Sequence, residues 1–233
     1  MFPRLDRYLE IQNIIRHVLL VHTVSLREWQ SLLGHLQSLA DQVPLGRLHT
    51  RPLHHVLASK VSSFNPPDTI VPFSTEFIPH LEWWLDQSRV MAGVFGITHP
   101  HVMISTDSSS LRWGAQAIFI RPSIFPLTAQ GSWDPQTSSL HINAKELLAV
   151  SEALKSFLPS IQDLNIKVET DNKTVVSLVN KQGMVRSPLL HHLTADLLTW
   201  VREQGLTLSA SYLPGALNVV ADQLSRPHQI LPT

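Results

Sequence analysis

The sequence predicts an α/β fold, a mixed five-stranded sheet flanked by helices in the C-terminal part, preceded by a smaller, mainly helical region. From His101 onward, short apolar runs of strand period alternate with runs of helical period. Before about residue 100 the apolar spacing is helical and broken by prolines. A chain of 233 residues, 43% hydrophobic and 15% charged, holds enough apolar material for a sizeable core and too little charge for disorder.

The N-terminal stretch is apolar but punctuated by Arg4, Asp6, Arg7, Glu10 and Arg16, so it lacks the long apolar run of a secretory leader. No segment approaches the ~18 uninterrupted apolar residues of a membrane helix. No membrane partner is expected, and the reading is an intracellular protein, with cytoplasm and nucleus not separated. Ser25-Leu-Arg-Glu28 reads as a capping box opening a helix. Trp29, Leu32, Leu33, Leu36 and Leu39 give that helix one apolar face, and Pro44 marks its stop. Asn65-Pro66-Pro67 reads as extended chain. Phe77, Leu81, Trp84 and Leu85, widened by Trp83, predict another amphipathic helix. The tryptophans Trp29, Trp83 and Trp84 read as packing residues.

In the second half, Val102–Thr106 predicts a strand running into Asp107-Ser-Ser-Ser110, and Trp113–Ile120 the next. Ser139–Ile142 reads as a third strand, followed by a helix from Asn143 to about Leu158, stopped by Pro159. Leu164–Thr170 alternates with period two, as a half-buried strand does. A helix from about Lys173 ends at Gly183, and Ser187-Pro188 opens another that Gly205 closes. Leu206, Leu208, Ala210 and Tyr212 alternate again, Pro214-Gly215 turns the chain, and Asn218 caps a last short helix. The texture divides the chain into residues 1–98 and 99–228.

The absence of cysteine excludes a disulfide framework, a thiolate zinc site and a cysteine nucleophile. Lysine and arginine total 18 against 18 acidic residues, and the pI near 7.3 lies below the ~9 common among nucleic-acid-binding domains. Chemistry concentrates instead in four acids at element ends. Asp107 closes the first strand of the second half, Glu146 lies one turn into its first helix, Asp171 closes the fourth strand, and Asp222 lies in the first turn of the last helix. If the first and fourth strands are parallel neighbours, Asp107 and Asp171 emerge side by side at the edge where open α/β sheets bind ligands. Four carboxylates without a nearby lysine or arginine are costly to gather unless cations neutralise them. Hard oxygen ligands in that number suit Mg²⁺ or Mn²⁺. Each acid also has a structural explanation. Asn143-Ala-Lys-Glu146 fits a capping box, Asp171 a helix cap, Asp107 a turn former, and Asp222 a partner of the helix dipole.

The segments around these acids carry a resemblance. Ser105-Thr-Asp107-Ser-Ser with Trp113-Gly-Ala115, His141-Ile-Asn-Ala-Lys-Glu146-Leu-Leu-Ala-Val150 and Val168-Glu-Thr-Asp171-Asn-Lys-Thr-Val-Val176 resemble the acidic segments of type 1 ribonuclease H domains. Tyr212-Leu-Pro-Gly215 through Asp222-Gln-Leu-Ser-Arg226 resembles their ending in retrotransposons. With Asn180–Ser187 and Trp200, the chain is most similar to reverse transcriptase–ribonuclease H polyproteins of DIRS-like, tyrosine-recombinase retroelements. Residues 1–98 resemble, more loosely, the thumb and connection of such proteins, through Ser25–Gly34 and Leu81-Glu-Trp-Trp84. No Tyr-x-Asp-Asp polymerase signature occurs in the sequence.

The resemblance implies an RNase H-like sheet and hydrolysis of the RNA strand of an RNA–DNA hybrid with two Mg²⁺ or Mn²⁺ ions per site. Asp107 would bridge ions about 4 Å apart, with Glu146 and Asp171 on one and Asp222 on the other. Ser108, Asn143 and Asn172 would contact the substrate, and a reverse transcriptase palm and fingers region or other retroelement proteins would be partners. One departure is the loop before Asp222, where Pro214-Gly215-Ala-Leu carries no histidine. The rival class of function is a non-catalytic module that binds hybrid or protein, which the balanced charge favours. His17, His22, His35, His49, His54 and His55, among Arg16, Arg27, Arg47 and Arg51, are either solvent-facing or a surface for hybrid phosphates.

Overall fold

The computed structural model describes residues 3–62, 65–93, 99–121, 125–183 and 187–226. The chain divides into two compact units, Met1–Ile97 and Thr98–Thr233. The expected junction at 98, the end at 228 and part of the segment 180–187 lie outside the described residues.

The first unit contains α1 (Leu5–Val21), β1 (Thr23–Ser25), α2 (Leu26–Ala40), α3 (Gly46–Lys60), β2 (Ile70–Pro72), a 3₁₀ turn (Thr75–Phe77), α4 (Ile78–Trp83) and α5 (Gln87–Val90). The capping box is present: the Glu28 carboxylate accepts from the Ser25 N–H at 2.8 Å, and the Glu28 N–H donates to the Ser25 hydroxyl at 3.4 Å. The apolar stripe of α2 is buried against Tyr8, Ile11 and Ile15 of α1 and Leu53 of α3. Each such leucine or isoleucine contributes about 1.5–3 kcal/mol on burial. Trp29 and Trp84 are core residues, whereas Trp83 is half-buried and stacks on His49 with centroids 4.1 Å apart. The antiparallel ribbon β1–β2, paired through Val24 and Val71, is an addition to the expected helices.

The second unit contains β3 (Val102–Ser108), β4 (Arg112–Phe119), β5 (Leu127–Ser132), α6 (Pro135–Ser138), α7 (Ile142–Ile161), β6 (Asn165–Thr170), α8 (Lys173–Lys181), α9 (Pro188–Glu203), β7 (Thr207–Tyr212), a 3₁₀ turn (Gly215–Leu217) and α10 (Val219–Ser225). Its strands form the expected mixed five-stranded sheet flanked by helices, in the order β5-β4-β3-β6-β7. Short connections leave β3–β4 and β4–β5 antiparallel, while crossovers through helices make β3–β6 and β6–β7 parallel. Leu147, Val150 and Leu154 of α7 pack with Val102, Ile104 and Val168 of the sheet in one core.

Several local expectations are corrected. The third strand is Leu127–Ser132, not Ser139–Ile142, which spans the junction of α6 and α7. α7 begins at Ile142 with His141 as its cap, its Nδ1 accepting from the Asn143 N–H at 3.2 Å, so Asn143 is not the cap. α7 also runs past Pro159 to Ile161, whose complete burial anchors the final turn. Asn172, not Asp171, caps α8, accepting from the N–H groups of Thr174 and Val175. Asn218 precedes α10, yet its side chain caps nothing and donates instead to the Thr106 carbonyl at 2.8 Å. On β7, the backbone N–H and C=O of Ala210 pair with the side-chain amide of Asn180, at 2.9 and 2.7 Å. Among the described residues no helix is long and apolar enough to cross a membrane.

Candidate metal centre

Strand register places the first two acids. The last registered pair of β3 and β6 is Ser105 with Glu169, and Asp107 and Asp171 each follow two residues later. Both therefore lie at the C-terminal edge of parallel neighbours, beyond the last pair that joins β3 to β6. α7 starts at the same edge and brings Glu146 into the group. Oxygen atoms of Asp107, Glu146 and Asp171 lie within 4.8 Å of one another. Asp222, from the first turn of α10, lines the same cleft of about 810 Å³.

The environments of the four differ. Glu146 is only 4% exposed; its Oε1 accepts from the Ser108 N–H at 3.2 Å, and its Oε2 is buried with no partner among the described residues. Burial, then the charges of Asp107 and Asp171, push its carboxyl up to about 8. Burial also raises the half-buried Asp107, with Asp222 and Asp171 adding to the effect and a hydrogen bond from the Ser225 hydroxyl opposing it. Asp171 is exposed, and Gly215 packs against it so closely that a Cβ there would stand 2.8 Å from its Oδ2.

Asp222 corrects the expectation of carboxylates without a nearby cation. Arg226 binds its Oδ1 through Nε at 2.9 Å and Nη2 at 2.5 Å. Lys173 also lines the cleft, its Nζ 5.2 Å from the centroid of the Tyr212 ring. Among the described residues, Asp107, Glu146 and Asp171 have no ion pair of this kind, although the charge of Arg226 also acts on Asp107.

The remaining expected site residues surround this group. Ser108 is buried; its hydroxyl accepts from Trp133 Nε1 at 3.2 Å and donates to the Ser109 carbonyl. Asn172 lines the cleft and donates through Nδ2 to Asn143 Oδ1 at 2.9 Å. Asn143 is thereby tied to the cleft wall. Sequence reasoning passed over Arg226 and Ser225, although both sit within the Asp222–Arg226 segment it singled out.

The donor set fits a hard divalent cation. Three convergent carboxylates, one of them with a buried oxygen that has no hydrogen-bond donor among the described residues, form an arrangement that a cation with oxygen preference satisfies.

No family model matches the chain, and no curated protein matches it. Among solved structures, it is similar to LC11-RNase H1 in complex with an RNA/DNA hybrid, at 18% identity over 53% of this chain and 92% of that one, with a TM-score of 0.43. RNase H1 from the halophilic archaeon Halobacterium salinarum is similar at 20% identity over 54% and 92%, with a TM-score of 0.41. The foamy viral protease-reverse transcriptase in complex with an RNA/DNA hybrid is similar at 15% identity over 96% of this chain and 30% of that one, with a TM-score of 0.35.

Proposed function

We propose that the chain is a metal-dependent endonuclease that hydrolyses the RNA strand of RNA–DNA hybrids, the ribonuclease H part of a DIRS-like retroelement reverse transcriptase. The observation that carries this reading is the Asp107–Glu146–Asp171 cluster at the edge where two parallel strands end, with Glu146 Oε2 buried and unpartnered among the described residues. Asp107, Glu146, Asp171 and Asp222 are the residues that would hold two Mg²⁺ or Mn²⁺ ions. When bound, such ions activate water for in-line attack on phosphorus and stabilise the leaving 3′ oxygen.

The protein's own groups hold this centre and the substrate. The Ser108 N–H fixes Glu146, and the Asn172–Asn143 pair orients amide groups at the cleft wall. Lys173 supplies positive charge for a phosphate beside the acids. Hybrid shape and the 2′-hydroxyl, rather than base sequence, set substrate choice. Residues 1–98 serve as a thumb and connection, with a palm and fingers region or other retroelement proteins as partners.

The balanced charge of 18 against 18 favours a second reading, a non-catalytic module that binds hybrid or protein. Cleavage of an end-labelled RNA–DNA hybrid with Mg²⁺ or Mn²⁺, beside single-stranded and duplex RNA, separates the two. The expected result is cleavage of the hybrid alone, abolished by Asp107→Asn in a protein that remains folded. Hybrid binding without cleavage supports the second reading, and undiminished cleavage by the variant removes Asp107 from the site.

A further inference from the structure

We infer that Ser225 is a positioning residue of the acidic site, its hydroxyl holding the Asp107 carboxylate in the orientation that receives a divalent cation. This rests on the metal-dependent reading above. Ser225 is the last residue of α10 and is completely buried. A buried hydroxyl needs partners, and this one has two acceptors within reach, Asp107 Oδ2 and, at 2.9 Å, the Asp222 carbonyl. It has one proton to give. The charged acceptor makes the stronger bond, so the proton belongs to Asp107.

The rest of α10 is arranged to deliver that bond. Gly114 is the cross-strand partner of Asp107. A Cβ on Gly114 would stand 2.5 Å from Ala221 O and Leu224 Cβ, and 2.7 Å from Ser225 N, so its absence lets the helix lie directly on the hairpin. At the other end of the helix, Asn218 grips the carbonyl of Thr106. The helix is thus tied to two successive residues of β3, Thr106 and Asp107, and Asp222 lies between the two ties. One carboxylate ligand is held by the helix that carries another. A serine that merely bonded back to its own helix would leave Asp107 unaffected.

Calorimetric titration of the full chain with Mn²⁺ tests this, using wild type, Ser225→Ala and Ala221→Gly, with circular dichroism to confirm folding. Ala221 is buried in the same helix, so glycine there loosens α10 without removing a donor from Asp107. Ser225→Ala is expected to weaken Mn²⁺ binding by about 10- to 100-fold, as loss of a ligand's hydrogen-bond partner does. Ala221→Gly, which keeps the Ser225 donor, should weaken it by less than about 10-fold, below that range. Ser225→Cys, which fills the site with a weak donor, should fall between wild type and alanine, and serves if the alanine variant does not fold. Unchanged Mn²⁺ affinity in the serine variants, or an equal loss in Ala221→Gly, overturns the inference, as does a wild type that binds no Mn²⁺. If wild type binds Mn²⁺ without cleaving hybrid, the nuclease reading fails while the role of Ser225 is still decided by the titration.

Discussion

Glu146 places a carboxyl almost wholly out of water, where two other acids repel its charge. Its folded value of about 8, against an ordinary 4.5, fixes the sign of a pH effect. Between those values the unfolded chain has lost the proton and the folded chain retains it, so stability falls as pH rises through that window. Asp107 is shifted in the same direction. With a chelator present, the melting temperature should therefore drop between about pH 5 and pH 8, and Glu146→Gln should flatten much of the slope. His54, held below its ordinary value by desolvation, gives the opposite slope, so the absence of any difference in slope between wild type and Glu146→Gln is the result that would contradict the burial of Glu146. At this scale the four acids were legible as candidates because each lies within about a turn of the end of a recognisable element. Ser225 was not read as part of the site because its partner is brought close only by folding, whereas Arg226 stands one helical turn from Asp222, a spacing open to sequence reading. The bond from Ser225 to Asp107 spans 118 residues.

Elements were legible where local pattern and tertiary packing agree. The capping box before α2 and its apolar stripe required no distant partner, and β3 and β6 alternate cleanly with burial. β5 failed that test, since Leu127-Thr-Ala-Gln-Gly-Ser132 alternates only between half-buried and exposed, with no fully buried residue to give a period-two signal. The cap of α7 was misread because Asn143 is a better general cap than His141, while the actual bond depends on one imidazole rotamer. The close seat of α10 leads to a prediction for its support. Gly114→Ala should cost about 1–3 kcal/mol through overpacking and reduce hybrid cleavage by pushing Asp222 and Ser225 away from Asp107. Urea unfolding and the cleavage assay together measure it, and a variant with wild-type stability would show that the helix is not held so closely.

Across the whole molecule, each unit has its own apolar core, one built on α1–α4 and the other on the five-stranded sheet. Fragments 1–97 and 98–233 should therefore each fold alone and show a cooperative thermal transition by circular dichroism. Loss of structure in either fragment would mean that its core depends on the other. The sequence changes texture near residue 100, because helix-period and strand-period sequences differ over tens of residues. A subtler feature is the side-chain amide of Asn180 on α8, which bonds the edge strand β7. By imitating a peptide group, it gives Ala210 the partner that a strand from another molecule would otherwise supply. Copies crowded side by side thus meet a blocked rung at that point, and their sheets are discouraged from zipping into a continuous ribbon.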